Sequence, residues 1–191
     1  ANSHRPVILS SPSGWGKTTA AVDYARNLEH AVVWVDAGGV TDPMAEAVRE
    51  LLMTLRGIMP TRIEEEGLAM QSLPDLIDAC LRAASEQSAP DRILVVLDDM
   101  CFDTQRDVME LISAHRVLKR IGVSILVTTQ NPVDDSRGLH RIGPETLAFT
   151  LEEVRAVSQC EREGVDAAVV WAQGGGHPAL TRVMLKVGAA W

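Results

Sequence analysis

The sequence predicts an α/β protein, with a mainly parallel five-stranded sheet in a three-layer sandwich, followed by a small helical piece. Three observations carry this. Up to Thr150, short β-rich apolar runs alternate with segments of helical period, the pattern of strands joined by crossover helices. The third and fourth runs are nearly continuous Val, Ile and Leu, as in strands covered on both faces. After Thr150 the β-rich runs stop and only helical patterns remain.

The first strand is Val7-Ile8-Leu9-Ser10, and a helix follows near Lys17 to Leu28. Ala31 to Asp36 is the second strand. Asp42-Pro43 then opens a helix to Leu55, because Asp is a favoured N-cap and proline fits the first helical position. Gly57 to Ser72, with Pro60 and Glu64-Glu65-Glu66, lacks periodicity and reads as a loop or short frayed helix whose charge run is a solvated face. A helix from Leu73 to Ser88 leads to the third strand, Ile93 to Asp98. A helix from Thr104 to Arg120 leads to the fourth, Val123 to Thr129. A weaker fifth strand is expected at Thr146 to Thr150. Beyond it Leu151 to Glu163, Asp166 to Gln173 and Pro178 to Trp191 are helical in pattern, so the expected division is 1–150 for the sheet domain and 151–191 for a truncated helical subdomain. No internal repeat or low-complexity tract is present.

At 191 residues the chain holds about one and a third domains of ordinary size. Its hydrophobic share of 46% and charged share of 23% suit a globular chain able to build a core. The net charge of −8 and an isoelectric point near 5.1 exclude a basic face for the phosphate backbone of nucleic acid. An aromatic share of 4% leaves little for base stacking. Cys80, Cys101 and Cys160 are odd in number and far apart, without metal-ligand spacing, which points to a reducing cytoplasmic compartment. No apolar run suits a membrane span or signal peptide, so a soluble protein with no membrane partner is expected. The abrupt ends suggest a fragment of a longer chain, with Ala1 to His4 as a cloning scar.

The residues that carry chemistry begin with Ser11-Pro12-Ser13-Gly14-Trp15-Gly16-Lys17-Thr18, between a strand and a helix. This is a phosphate loop, with Ser11 where a first glycine is usual. Gly14 and Gly16 let the backbone curl so that N–H groups from Ser13 to Gly16 form an anion nest at the positive end of the next helix. Lys17 is expected on the β- and γ-phosphates, Thr18 on Mg²⁺ and Thr19 near the α-phosphate, against the alternative of a glycine-rich turn that binds nothing. Ile93-Leu94-Val95-Val96-Leu97-Asp98-Asp99 is an apolar strand ending in two carboxylates. Asp98 is expected to orient Mg²⁺ through water and Asp99 to polarise an attacking water, against a plain strand followed by a polar turn. Lys17, Asp98 and Asp99 are thus the candidate catalytic groups.

Thr128-Thr129-Gln130 ends the fourth strand, where Thr129 or Gln130 is a candidate γ-phosphate sensor, or simply a polar turn before Asn131-Pro132. Arg137 and Arg141 in the next loop read as solvated more readily than as phosphate partners. Gly174-Gly175-Gly176-His177-Pro178 reads as an interhelical turn, or as a contact of His177 and Pro178 with the nucleotide.

From Val7 to Pro178 the sequence resembles the nucleotide-binding domain of STAND ATPases, especially MalT-like and large LuxR-type transcriptional regulators. Their loop A-P-A-G-Y-G-K-T-T corresponds to SPSGWGKTT here, and their acidic loop ending N-D-P corresponds to Thr41-Asp42-Pro43. Their Asp-Asp strand corresponds to Asp98-Asp99, and their Leu-Phe-Thr-x-Glu signature to Leu147-Ala148-Phe149-Thr150-Leu151-Glu152-Glu153. Their Gly-x-Pro element corresponds to Gly176-His177-Pro178. The resemblance implies a P-loop NTPase sheet of the ASCE type, order 5-1-4-3-2, with ATP or ADP and Mg²⁺ between sheet and helices. It also implies Pro178 near the nucleotide and His177 on the phosphates. One departure is Gln130, where relatives carry Arg, so that a hydrogen bond replaces a charge.

The expected function is a signal-gated, slow ATPase switch of a transcriptional regulator, self-associating in its ATP state and touching DNA only through a domain outside this chain. A small-molecule or nucleotide kinase and a non-hydrolysing nucleotide-binding module are the alternatives. A GTPase is disfavoured because no Asn-Lys-x-Asp motif occurs.

Overall fold

The computed structural model describes residues 5–57, 72–86, 92–134, 138–161 and 165–187. The Glu64-Glu65-Glu66 run, most of the loop containing it, Arg137 and both chain ends lie outside the described residues, as do the last positions of the helices expected to end at Ser88, Glu163 and Trp191.

Five strands, β1 (Val7–Ser10), β2 (Ala31–Asp36), β3 (Ile93–Asp98), β4 (Val123–Thr129) and β5 (His140–Ile142), form one sheet in the order β2-β3-β4-β1-β5. Every neighbouring pair is parallel, and from the other edge the order reads 5-1-4-3-2. This is the three-layer P-loop NTPase topology expected. The pleat divides β3 cleanly: Ile93, Val95 and Leu97 enter one core, Leu94 and Val96 the other. The first core is closed by α2 (Pro43–Arg56), α3 (Leu73–Glu86) and α4 (Gln105–Leu118), through residues such as Leu51, Leu52, Leu76 and Leu111. The second is closed by α1 (Lys17–Arg26), whose Ala21 packs with Leu9, Leu94, Val96 and Leu126.

Local chemistry accounts for the helix ends. Asp42 accepts the Ala45 N–H at 2.9 Å with Pro43 behind it, and Gly57 closes α2 in the left-handed region at φ 63°. At the start of α4, Asp107 accepts both the N–H and the hydroxyl of Thr104, and these bonds hold its carboxyl below the ordinary aspartate range.

The fifth strand corrects the sequence reading. Thr146 to Thr150 holds the end of a one-turn helix, α5 (Pro144–Leu147), and an irregular link, whereas the strand is His140–Ile142, paired with Val7, Ile8 and Leu9. Pro144 at the first helical position turns the chain after Gly143. An edge strand paired on one side and partly exposed needs no apolar run, so His140-Arg141 carried no strand signal.

Helices α6 (Leu151–Glu161), α7 (Ala167–Gly174) and α8 (Pro178–Val187) close on a separate small core of Val154, Ala167, Val170, Met184 and Leu185, with Phe149 against it. The entry to α6 is a reciprocal capping box: Glu153 accepts the Thr150 N–H at 2.7 Å and Thr150 Oγ1 accepts the Glu153 N–H at 3.2 Å. The Phe-Thr-x-x-Glu pattern therefore has a local structural meaning here. Gly176, at φ 73°, returns the chain to Phe149: its carbonyl accepts the Phe149 N–H at 2.8 Å, and a Cβ on it would stand 2.5 Å from the Phe149 carbonyl oxygen. Only glycine fits.

Candidate functional site

Beyond the carboxyl ends of β1, β3 and β4 lies a site built from the loop after β1, the acid pair after β3 and the turn before α8. Open α/β sheets bind ligands at this end. Gly14 and Gly16 take φ 83° and 76°, and Gly16 caps α1. A Cβ on Gly14 would lie 2.9 Å from His177 Cε1 and 3.2 Å from Ala179 Cβ, so its hydrogen admits the helical piece as well as the turn.

Lys17 is buried at 8% exposure, its Nζ donating to the carbonyls of Ser11 at 2.7 Å and Pro12 at 2.9 Å. Burial pulls its ammonium below the ordinary lysine value, while Asp99 and then Asp98 pull it back up. Thr18 Oγ1 donates to Asp98 Oδ1 at 2.9 Å. The same oxygen accepts the Thr128 hydroxyl at 2.6 Å, and Thr128 Oγ1 in turn accepts the Asp99 N–H at 2.8 Å. Asp99 is the non-glycine residue with positive φ among those described, at 57°. Its Oδ1 accepts from Gln130 Nε2 at 3.0 Å, and its Oδ2 lies 3.2 Å from where a Cβ on Gly38 would stand.

On the helical side, the Ala179 N–H donates to the Gly14 carbonyl at 3.1 Å, and the rings of Trp15 and His177 meet with centroids 4.7 Å apart, tilted by 54°. His177 Nδ1 accepts the Leu180 N–H at 3.3 Å, so the neutral ring carries its proton on Nε2. Pro178 is buried at the head of α8, with its Cβ 4.0 Å from where a Cβ on Gly16 would stand.

The structure therefore brings together Gly14, Trp15, Gly16, Lys17, Thr18, Asp98, Asp99, Gln130, His177 and Pro178. Ser13 and Thr19 stand exposed on the loop and the first turn of α1. Thr129 does not join them: it is fully buried, its hydroxyl near Asn131. Arg141 lies on β5, 3.6 Å from Glu145. Sequence reasoning missed Thr128, the hydroxyl that ties the acid pair together; a threonine near the end of a mostly apolar strand was its only signal. It also missed Gly38 and Ala179, which matter through backbone approach and have no side-chain signature.

The donor set suits a hard cation of the Mg²⁺ kind. Thr18 and Asp98 offer adjacent oxygens, and among the described residues no group of three or more His, Cys, Asp and Glu gathers into a complete metal cage. Mg²⁺ typically takes one or two protein oxygens and completes its shell with water and phosphate. Among the described residues no helix is long and apolar enough to cross a membrane.

No family model matches the sequence, and no curated protein matches it. Solved structures do match the fold. A signal transduction ATPase with numerous domains (STAND) protein with a tetratricopeptide repeat sensor, from Pyrococcus horikoshii, superposes over 95% of this chain with a TM-score of 0.62 and 17% identity. The RuvB Holliday junction branch migration motor of Thermotoga maritima superposes over 95% with a TM-score of 0.51 and 13% identity. The chain spans 27% of the first and 53% of the second. At these identities the likeness is one of fold, that of P-loop NTPases.

Proposed function

We propose that this chain is an ATP- or ADP-binding switch domain with slow ATPase activity. One observation carries the reading: a buried Lys17 and a Thr18–Asp98 contact meet at a left-handed glycine loop on which the head of α8 also rests. N–H groups from Ser13 to Gly16 would cradle the phosphates, and Lys17 Nζ would exchange the Ser11 and Pro12 carbonyls for β- and γ-phosphate oxygens. Thr19 would approach the α-phosphate, and His177 Nε2–H and Pro178 would approach the nucleotide from the helical side. Asp99 would take the proton of the attacking water. Thr18 and Asp98 would hold Mg²⁺, which when bound neutralises phosphate charge.

The division into a sheet domain, 1–150, and a helical reporter, 151–191, belongs to this proposal. For nucleotide to act as a switch, the two parts must contact ADP and ATP differently, since a ligand with equal affinity for both states shifts nothing. The Pyrococcus protein is described as a signal transduction ATPase, and the sequence resemblance extends that role to a cytoplasmic transcriptional regulator. Self-association with ATP, and DNA contact through another domain, go with that part of the reading.

Thermal melting tests the binding claim. At about 100 times its dissociation constant a nucleotide adds about 2.7 kcal/mol of stability, so Mg-ATP and Mg-ADP should raise the melting temperature. Lys17→Ala should abolish the rise and the accompanying change in Trp15 fluorescence. Melts indifferent to nucleotide in both proteins would sink the reading, and phosphate transfer to an added small-molecule or nucleotide acceptor would turn it toward a kinase.

A further inference from the structure

β4 ends in Thr128 and Thr129, and Gln130 follows in a bend. Thr129 turns inward. Thr128 and Gln130 each meet one member of the acid pair: Thr128 Oγ1 reaches Asp98 Oδ1 at 2.6 Å and Gln130 Nε2 reaches Asp99 Oδ1 at 3.0 Å. The sequence suggested a γ-phosphate sensor here, yet the Gln130 amide is turned to a carboxylate.

We propose that Gln130 is a positioning residue for Asp99, and that the end of β4 and the residue after it form a two-pronged holder for the acid pair. The inference rests on the ATP-hydrolysing reading above. Asp98 is held by two hydroxyls, from Thr18 and Thr128. Asp99 is exposed, and its backbone stands in the left-handed region at φ 57°. Its carboxylate is restrained by Gln130 on one oxygen, while the other faces the bare Cα of Gly38. A general base works only when it is fixed within hydrogen-bond reach of the proton it takes.

The charge of the holder matters as well as its position. A guanidinium in place of the amide would stabilise the ionised carboxylate and weaken it as a proton acceptor. A neutral amide orients Asp99 without doing so. In the step served, the water oxygen bonds to the γ-phosphorus while the bond from that phosphorus to the β–γ bridging oxygen breaks. The electron pair of that bond stays on ADP, and the water proton passes to the Asp99 carboxylate and on to solvent.

The test separates binding from turnover, with Mg-ATP affinity read from Trp15 fluorescence and kcat from phosphate release at saturation. Because Gln130 is exposed, its variants should keep the fold, which melting checks. Gln130→Leu should lower kcat by about tenfold to a hundredfold, the cost of a base misplaced by about 1 Å, with ATP affinity unchanged. Gln130→Arg should also lower kcat. Pairing the shortened amide of Gln130→Asn with the lengthened acid of Asp99→Glu should restore more turnover than either single variant gives, a coupling that a merely structural role would not produce.

Two results would overturn the inference alone: Gln130→Leu weakening ATP but not ADP with kcat intact, or Gln130→Arg accelerating turnover; a wild-type protein that binds ATP without turning it over would overturn the ATP-hydrolysing reading and the inference together. A wild-type protein that bound no nucleotide would overturn the underlying reading and this inference with it.

Discussion

The glycine loop after β1 is gripped from two sides, and the grips differ in kind. On the sheet side, four side-chain and main-chain hydrogen bonds link Thr18, Asp98, Thr128, Asp99 and Gln130 between neighbouring parallel strands and α1. On the helical side stand one main-chain bond, Ala179 to Gly14, and one ring contact, Trp15 with His177. The strands beneath the first grip are among the most buried elements of the chain, whereas α6 to α8 rest on a small core of their own. Regions with few buried contacts open at lower free energy than the core. Under the proposed function, this difference gives rigid placement of chemistry to the sheet side and movement to the helical side.

The largest effect that sharpens this contrast falls on the sheet side. Asp99→Asn should lower kcat by about a hundredfold or more, the contribution of a positioned base, while hydrogen exchange across 151–187 stays as in wild type. A rate within a few-fold of wild type would remove Asp99 from the chemistry.

On the helical side the informative change is Gly176→Ala. The added methyl meets the Phe149 carbonyl at 2.5 Å, and alanine resists φ 73°. Strain of this kind costs about 1–3 kcal/mol. It should appear as faster exchange in α7 and α8, with nucleotide binding retained by the sheet side. Equal loss of protection in β3 and β4 would show the two regions opening as one unit and break the comparison.

The mildest probe is pH. His115 on α4 is 3% exposed, and burial, with Lys119 one turn on, holds its imidazole below the ordinary histidine value. The unfolded chain therefore binds this proton more readily than the folded one. The neutral ring's contribution to stability is complete above the ordinary histidine value, near 6.5, and is lost as pH falls through the lowered one. Acid should weaken the sheet domain, reported by β3 and β4 exchange, and His115→Gln should flatten that dependence. An acid limb unchanged in the variant would place the sensitivity elsewhere.

How much was legible in the sequence follows from how local each signal is. β1 to β4 stand on the residues expected of them, because an apolar run between glycine, proline and acidic punctuation is written in neighbouring positions. The left-handed glycine loop between β1 and α1 was legible for the same reason. β5 was not, because a three-residue edge strand draws its identity from pairing with β1 and not from its own composition. Thr128 was passed over because its importance lies in Asp98, thirty positions away in sequence. Gln130 was seen, but its bond to Asp99 was not: the sequence shows an amide after a strand end and cannot show which side chain it faces.

The sequence by itself determined the class of fold, the glycine loop between β1 and α1, the carboxylate pair after β3 and the start of the helical piece at Thr150. Each rests on short-range rules of period, glycine freedom, proline geometry and capping. Only the tertiary structure decided that Thr128 and Gln130 hold the two acids, that Gly14 must be bare to admit His177, and that Gly176 closes on Phe149. Those contacts depend on how parallel strands stagger and where separate cores dock. A difference of an ångström decides between bond and clash there, and no local pattern encodes it.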